Sequence, residues 1–177
     1  IKPESGHLAC GISGIGRLAD PEDIVEEIKQ HFISTQALIN KKVLVTAAGT
    51  IEAIDPVRYI GNRSSGKMGY AIAKQAALLG ASVVLVSGPS YLPEPEGVTL
   101  IKIENALEMR EMVLKEYKDA DIIIKAAAVA DYRPRTVEEN KIKKNEEKLI
   151  LQLEKNPDIL QELGQLKEKN QILVGFA

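Results

Sequence analysis

The sequence predicts an α/β fold: a Rossmann-like, doubly wound and mostly parallel sheet carrying a flap or hairpin insertion. Unbroken apolar runs recur along the chain, as KVLVTA from Lys42, SVVLVSG from Ser82, VTLIKI from Val98 and ADIIIKAAA from Ala120. Strands buried on both faces read this way. Helical stretches alternate with them, from Gly66 to Leu79 and from Ala106 to Lys118. Alternation of strand and helix builds βαβ units, and these assemble a parallel sheet covered on both sides.

The elements follow in order. Residues 1 to 20 are glycine-rich with little periodicity and predict an extended, turn-rich segment outside the main core. Asp20 and Pro21 read as an N-cap and first-turn proline, and Ile24, Val25 and Ile28 give helical spacing from 21 to 33. The first buried strand is followed by about twenty residues before the next helix, far more than the two to six typical of a βα connection. Loops of that length are usually functional. Beyond the fourth strand, KIKKNEEKLILQLEK predicts a charged hairpin whose alternating Leu149, Leu151 and Leu153 form a strand with one exposed face. PDILQELGQLK reads as a helix opening with Pro157, and ILVGFA as a closing strand.

Composition narrows the function classes. The 177 residues are 45% hydrophobic and 27% charged with a net charge of -2, so no basic excess exists to grip nucleic acid. No apolar run approaches the roughly 18 to 20 residues of a membrane span, and the chain reads as cytoplasmic. One cysteine, Cys10, excludes an internal disulfide and a zinc cluster. His7 and His31 are distant and sit in no motif. Catalysis, if present, must rest on positioning and charge rather than on a histidine relay.

The long loop contains GNRSSGKMG at residues 61 to 69. Its spacing nearly matches a phosphate-binding P-loop, but Met68 stands where Ser or Thr would hold Mg²⁺, and Gly61 lies well past the strand. Gly49, Ser64, Ser65, Gly66 and Gly69 let the backbone approach an anion closely, while Arg58 and Lys67 add charge. The plainer alternative is a glycine turn in which Ser64 or Ser65 caps the helix. A dinucleotide fingerprint is missing, because no Gly-x-Gly-x-x-Gly follows the first strand and the second ends in Ser87, Gly88 and Pro89 rather than an acid. At the carboxyl end of the fourth strand, Ala127, Ala128 and Asp131 predict a ligand edge, with Asp131 suited to a hydroxyl, an amide or Mg²⁺. The alanines serve equally well as packing under a helix. Lys141 lies in a charged loop and matters only if that loop folds over the site.

Taken together and in this order, DPVRYIGNRSSGKMG, VSGP, AAAVADYRP, KIKK, KNPD and GFA resemble phosphopantothenoylcysteine synthetase, the ligase module of bacterial bifunctional coenzyme A biosynthesis proteins. The match covers about residues 40 to 177. The resemblance implies a two-step ligation. The carboxylate of 4'-phosphopantothenate attacks the α-phosphate of CTP, with Mg²⁺, and pyrophosphate leaves. The amine of cysteine then attacks the acyl-cytidylate and releases CMP. By motif, Asn62 resembles the asparagine that processes the acyl-cytidylate, Arg58 the arginine supporting that second half-reaction, and Lys141 the flap lysine aiding cytidylate formation. Gly49, Ser64, Ser65, Gly66 and Gly69 match the triphosphate cradle. Ala127, Ala128 and Asp131 match the wall between substrate and nucleotide, and Lys155, Asn156, Pro157, Asp158 and Phe176 match the cytidine pocket. The family implies a homodimer.

One departure is Ala48, where the family usually has glycine. SGHLACGISGIGR resembles the tail of the phosphopantothenoylcysteine decarboxylase module, in which Cys10 corresponds to the cysteine that protonates the enethiolate intermediate. That module's FMN-binding body is missing here, so Cys10 is expected to be inert alone. The resulting expectation is a decarboxylase tail at 1 to 20, a connecting helix at 21 to 40 and a CTP-dependent ligase domain from 41 to 177 that continues further in the family. Two rival readings are a non-catalytic nucleotide-binding domain and an NAD(P) oxidoreductase.

Overall fold

The structure is a computed structural model that describes residues 1–7, 11–33, 37–143 and 149–176. Its centre is a five-stranded parallel sheet of β3 (Lys42–Ala47), β6 (Ser82–Ser87), β7 (Val98–Lys102), β8 (Ile122–Lys125) and β11 (Ile172–Gly175), in the order β11-β8-β3-β6-β7. The predicted parallel sheet and its strands are present. Val43, Leu44, Val45, Leu85 and Val86 are buried, since branched and apolar side chains pack well on both faces of a central strand.

Helices cover the two faces separately. On one face α2 (Lys67–Leu78) sets Tyr70, Ala73 and Ala76 against Val43, Val45 and Leu85. Its small residues bring it close: a Cβ added at Gly69 would lie 2.5 Å from that of Ala47. On the other face α3 (Ala106–Glu116) and α4 (Ile159–Leu166) bury Met109, Val113, Ile159 and Leu163 with Leu44 and Ile123. The side chain of Asn105 caps α3 by accepting from the Glu108 N–H, and the Glu108 carboxylate accepts in return from the Glu104 N–H. This reciprocal capping satisfies donors that the first turn leaves open. The bidentate pair of Arg110 with Glu162 joins α3 to α4 at 2.7 and 2.6 Å.

The first residues are extended, as expected, and pair β1 (Glu4–His7) with β2 (Ser13–Arg17) apart from the main sheet, followed by the expected helix α1 (Pro21–Ile33). Other expectations need correction. The long loop after β3 contains its own hairpin, β4 (Ile51–Ala53) and β5 (Tyr59–Gly61). The alternating leucines do not make one half-buried strand. Among the described residues of that stretch only β10 (Leu153–Lys155) forms, paired with β9 (Tyr132–Pro134), and Leu149, Ile150 and Leu153 are all exposed, so no single face is covered; residues 144 to 148 of the expected hairpin lie outside the described residues. The last helix opens on Asp158, whose side chain accepts from the Gln161 N–H, and Pro157 lies before that cap. Ser64 and Ser65 do not cap α2; Gly66 does, at φ 79 and without a side-chain bond.

Candidate functional site

Strand order reverses at β3, with β6 and β7 to one side and β8 and β11 to the other. In open parallel sheets, ligands gather beyond the carboxyl ends of the strands at such a reversal. Here the loop after β3 and the loop after β8 are stitched together at that point. Ala128 N–H donates to Ala48 O at 2.7 Å, Thr50 N–H donates to Ala128 O at 3.3 Å, and Ala130 N–H donates to Thr50 Oγ1 at 2.9 Å. Asn62 adds its side chain to the seam, donating from Nδ2 to Ala128 O at 3.2 Å and Val129 O at 3.3 Å.

The predicted residues fall into three groups around this seam. Gly49, Asn62 and Ser64 line a cleft of about 600 Å³ on the β6 side, together with Gly88, Ser90, Lys102 and others. Gly49 must be small there, because a Cβ would lie 2.9 Å from Asn62 O. Ser65 stands at the rim, its carbonyl accepting from Ser90 Oγ. Gly66 and Gly69 are buried beneath, against Ala48 and Ala47. Ala127 packs on the core and donates its N–H to Thr46 Oγ1, while Ala128 is the seam itself.

The second group lies on the β8 side. Asn156 is buried, donates from Nδ2 to Ala130 O at 2.8 Å, and gives its backbone N–H to Asp131 O at 2.8 Å. Arg133 holds Asn156 Oδ1 at 2.8 Å and the carbonyl of Lys155 at 3.1 Å. Asp131, Lys155, Asn156, Pro157 and Asp158 therefore form one neighbourhood. Phe176 joins it through its N–H, which donates to Lys125 O. Lys125, at the end of β8, was not singled out from the sequence. Burial lowers its ammonium pKa below the ordinary lysine value, and the charges of Asp158 and Asp131 oppose that shift.

Arg58 and Lys141 form the third group. Arg58 turns away from the cleft to pair with the buried Asp55, and its Nη2 also donates to the carbonyl of Ile142, next to Lys141. The guanidinium holds the Asp55 carboxyl far below the usual carboxylate range, with help from three backbone N–H groups. Asp55, Gly88, Lys125 and Arg133 are the residues that motif reading passed over. Three of them carried a signal, Asp55 as the first residue of DPVRYIGNRSSGKMG, Gly88 as a glycine at a strand end and Arg133 as a charge inside DYRPR. Cys10 lies outside the described residues. Among the described residues, no cluster of three or more His, Cys, Asp or Glu could hold a metal, and no helix is long and apolar enough to cross a membrane.

This sheet order, with loop-built clefts at its carboxyl edge, defines a doubly wound α/β domain of the Rossmann type. The chain belongs to the family described as the DNA/pantothenate metabolism flavoprotein C-terminal domain, whose model matches residues 38–177. It is 51% identical over its whole length to the coenzyme A biosynthesis bifunctional protein CoaBC of Bacillus subtilis, and 48% identical over 99% of its length to that of Borreliella burgdorferi. It spans 44% and 45% of those relatives. A crystal structure of the C-terminal domain of a CoaBC protein superposes with a TM-score of 0.72 at 49% identity, covering 81% of this chain and 67% of that one.

Proposed function

We propose that the chain carries the phosphopantothenate-cysteine ligase activity of coenzyme A biosynthesis, using CTP and passing through an acyl-cytidylate. The observation that carries this reading is the seam at the sheet reversal. Asn62, on the β5 to α2 loop, reaches both carbonyls of the β8 loop, with a cleft on one side and the Asp131 to Asp158 neighbourhood on the other. Two ligands bound on the two sides would meet at Asn62, and juxtaposition is the main requirement of a reaction that joins an acyl group to a nucleotide phosphate.

In this reading the carboxylate oxygen of phosphopantothenate attacks the α-phosphorus, the bond to the β-phosphate breaks, and pyrophosphate departs. Lys141 offsets charge on the phosphates. The amine of cysteine then attacks the acyl carbon, its proton is lost to solvent, and the bond to CMP breaks. The Asn62 amide, released from its carbonyl partners, donates to the developing acyl oxygen. Mg²⁺ takes one or two carboxylates plus phosphate oxygens in such sites, and the exposed Asp131 fits as a single protein ligand beside a triphosphate. When bound, the ion would neutralise phosphate charge.

We also infer that residues 1 to 20 are the tail of an FMN-dependent decarboxylase module, that 21 to 40 connect it to the ligase domain, and that the protein acts as a homodimer. Alignment of the CoaBC relatives over essentially the whole chain, beyond the family model's first residue, supports the tail. The test of the ligase reading is to mix the intact protein with CTP, Mg²⁺ and phosphopantothenate and measure pyrophosphate, then add cysteine and measure CMP. Pyrophosphate dependent on phosphopantothenate is expected. Nucleotide binding without pyrophosphate release would leave a binding domain and sink the ligase.

A further inference from the structure

The Asp55 side chain is fully buried, yet it sits in an exposed loop region and touches nothing in the cleft. Its hydrogen-bonding capacity is spent on two pieces of backbone and on the Arg58 guanidinium. Oδ1 accepts from the N–H groups of Val57 at 2.9 Å and Arg58 at 2.8 Å. Oδ2 accepts from Arg58 Nε at 3.0 Å, from Arg58 Nη2, and from the N–H of Ile142 at 3.1 Å. Arg58 Nη2 then completes a ring by donating to Ile142 O at 3.0 Å. Both backbone polar groups of Ile142, its N–H and its carbonyl, are thus held by one ion pair from a loop more than eighty residues earlier. A second tie, Glu138 N–H to Ile54 O at 3.0 Å, anchors the same segment nearby.

Residues 139 to 143 have no regular secondary structure of their own. A segment of this kind takes its conformation from whatever satisfies its backbone groups. The neighbours of Ile142 are Lys141 and Lys143, both exposed. We propose that Asp55 is a positioning residue: with Arg58 it fixes the Ile142 peptide and so sets where the Lys141 ammonium stands. The role given to Lys141 rests on the ligase reading above; the backbone clamp does not. Charge-assisted bonds are the strong kind, and here the Asp55 end is buried while Arg58 is partly exposed. On this arrangement Arg58 acts on the chemistry through the segment it holds, and the loop after β3 is coupled to the segment bearing Lys141.

The experiment uses the intact protein with D55N, K141A and the double variant. Asn keeps the size of Asp but is neutral and has one acceptor oxygen, so it cannot serve the Val57 and Arg58 N–H groups on one side and Ile142 with the Arg58 guanidinium on the other, and D55N is expected to slow pyrophosphate release about tenfold or more. In the K141A background the same change should cost less than about twofold, because the lysine it positions is gone. An equal loss in both backgrounds would overturn the positioning role and leave a loop staple only. Hydrogen exchange supplies a readout independent of turnover. The Ile142 amide should exchange about tenfold faster in D55N while the β3 and β6 amides keep their protection. Unchanged exchange at Ile142 overturns the clamp. Faster exchange at Ile142 in a protein that releases no pyrophosphate in any form upholds the clamp and rejects the ligase reading instead.

Discussion

Gly88 approaches Gly49 so closely that a Cβ on Gly88 would lie 2.0 Å from the Gly49 carbonyl oxygen. The turn leaving β6 and the turn leaving β3 touch backbone to backbone, with the Gly88 N–H donating to Ala47 O at 3.1 Å. This contact forms one wall of the cleft. No rotamer change can relieve a clash with backbone, so Gly88→Ala must move one of the two turns.

The expected cost of Gly88→Ala is about 2 to 4 kcal/mol by urea denaturation, in the range of overpacked sites. Gly164→Ala is the control. That glycine is within α4 with nothing within 4 Å of an added Cβ, and alanine there should stabilise by about 0.5 to 1 kcal/mol. A Gly88→Ala variant as stable as the parent would show that the two turns separate freely.

Asn62→Asp separates structure from chemistry. Asp cannot donate, so the bonds to Ala128 O and Val129 O are lost and a carboxylate faces two carbonyl oxygens. Since Asn62 is exposed, the stability loss should stay near about 1 kcal/mol. Under the ligase reading, pyrophosphate release survives while cysteine incorporation falls. Equal loss of both half-reactions would reject a role for the amide in the second step.

The centre of the sheet was legible because β3 and β6 are buried on both faces and therefore read as apolar runs, as at Val43 to Val45 and Val83 to Val86. The β4 and β5 hairpin was not, since strands of three residues are too short to show a period. Leu149, Leu151 and Leu153 misled for the opposite reason: alternation implies a covered face, and Leu149 and Leu153 are exposed. In the site, residue types could be read locally, as with Gly49 and Asn62. Their partners could not, because Asn62 meets Ala128 and Asp55 meets Ile142 across 66 and 87 positions of sequence. Pairings at that distance are decided by strand order, which no single motif encodes.

At Ala48 the backbone conformation gives a substitution by glycine a measurable consequence. Its φ is 63°, in the left-handed region, and its carbonyl accepts from Ala128 at the seam. Alanine in that conformation carries about 1 to 2 kcal/mol of strain. Ala48→Gly removes the strain but adds freedom to the unfolded chain, worth about 0.4 to 1 kcal/mol. The net change should be near zero or slightly stabilising. Ala73→Gly, in the middle of α2, has no strain to relieve and should cost about 1 kcal/mol. Equal losses at the two positions would mean that Ala48 is unstrained.

Lys125 gives the fold a pH dependence whose sign follows from its surroundings. Its strand direction continues Ile123, toward the face where α4 begins at Asp158, and burial disfavours its charge more than Asp158 and Asp131 favour it. The folded pKa therefore lies below the free-lysine value of 10.5. Between those two values the unfolded chain holds more protons than the folded one, so stability rises with pH across that window. Below the folded value the penalty is present in full. Lys125→Met removes the proton while keeping most of the side-chain length, and should be the more stable chain at about pH 7. Its advantage should shrink as pH approaches about 10.5, where the parent has also lost the charge. Urea denaturation of both chains across that range measures the difference, which cancels the titrations they share. A gap that stays constant with pH would mean that Lys125 is as well solvated folded as unfolded. Under the ligase reading, Lys125 shares its surroundings with Asp131 and Asp158, and Lys125→Met should bind CTP more weakly while being harder to unfold.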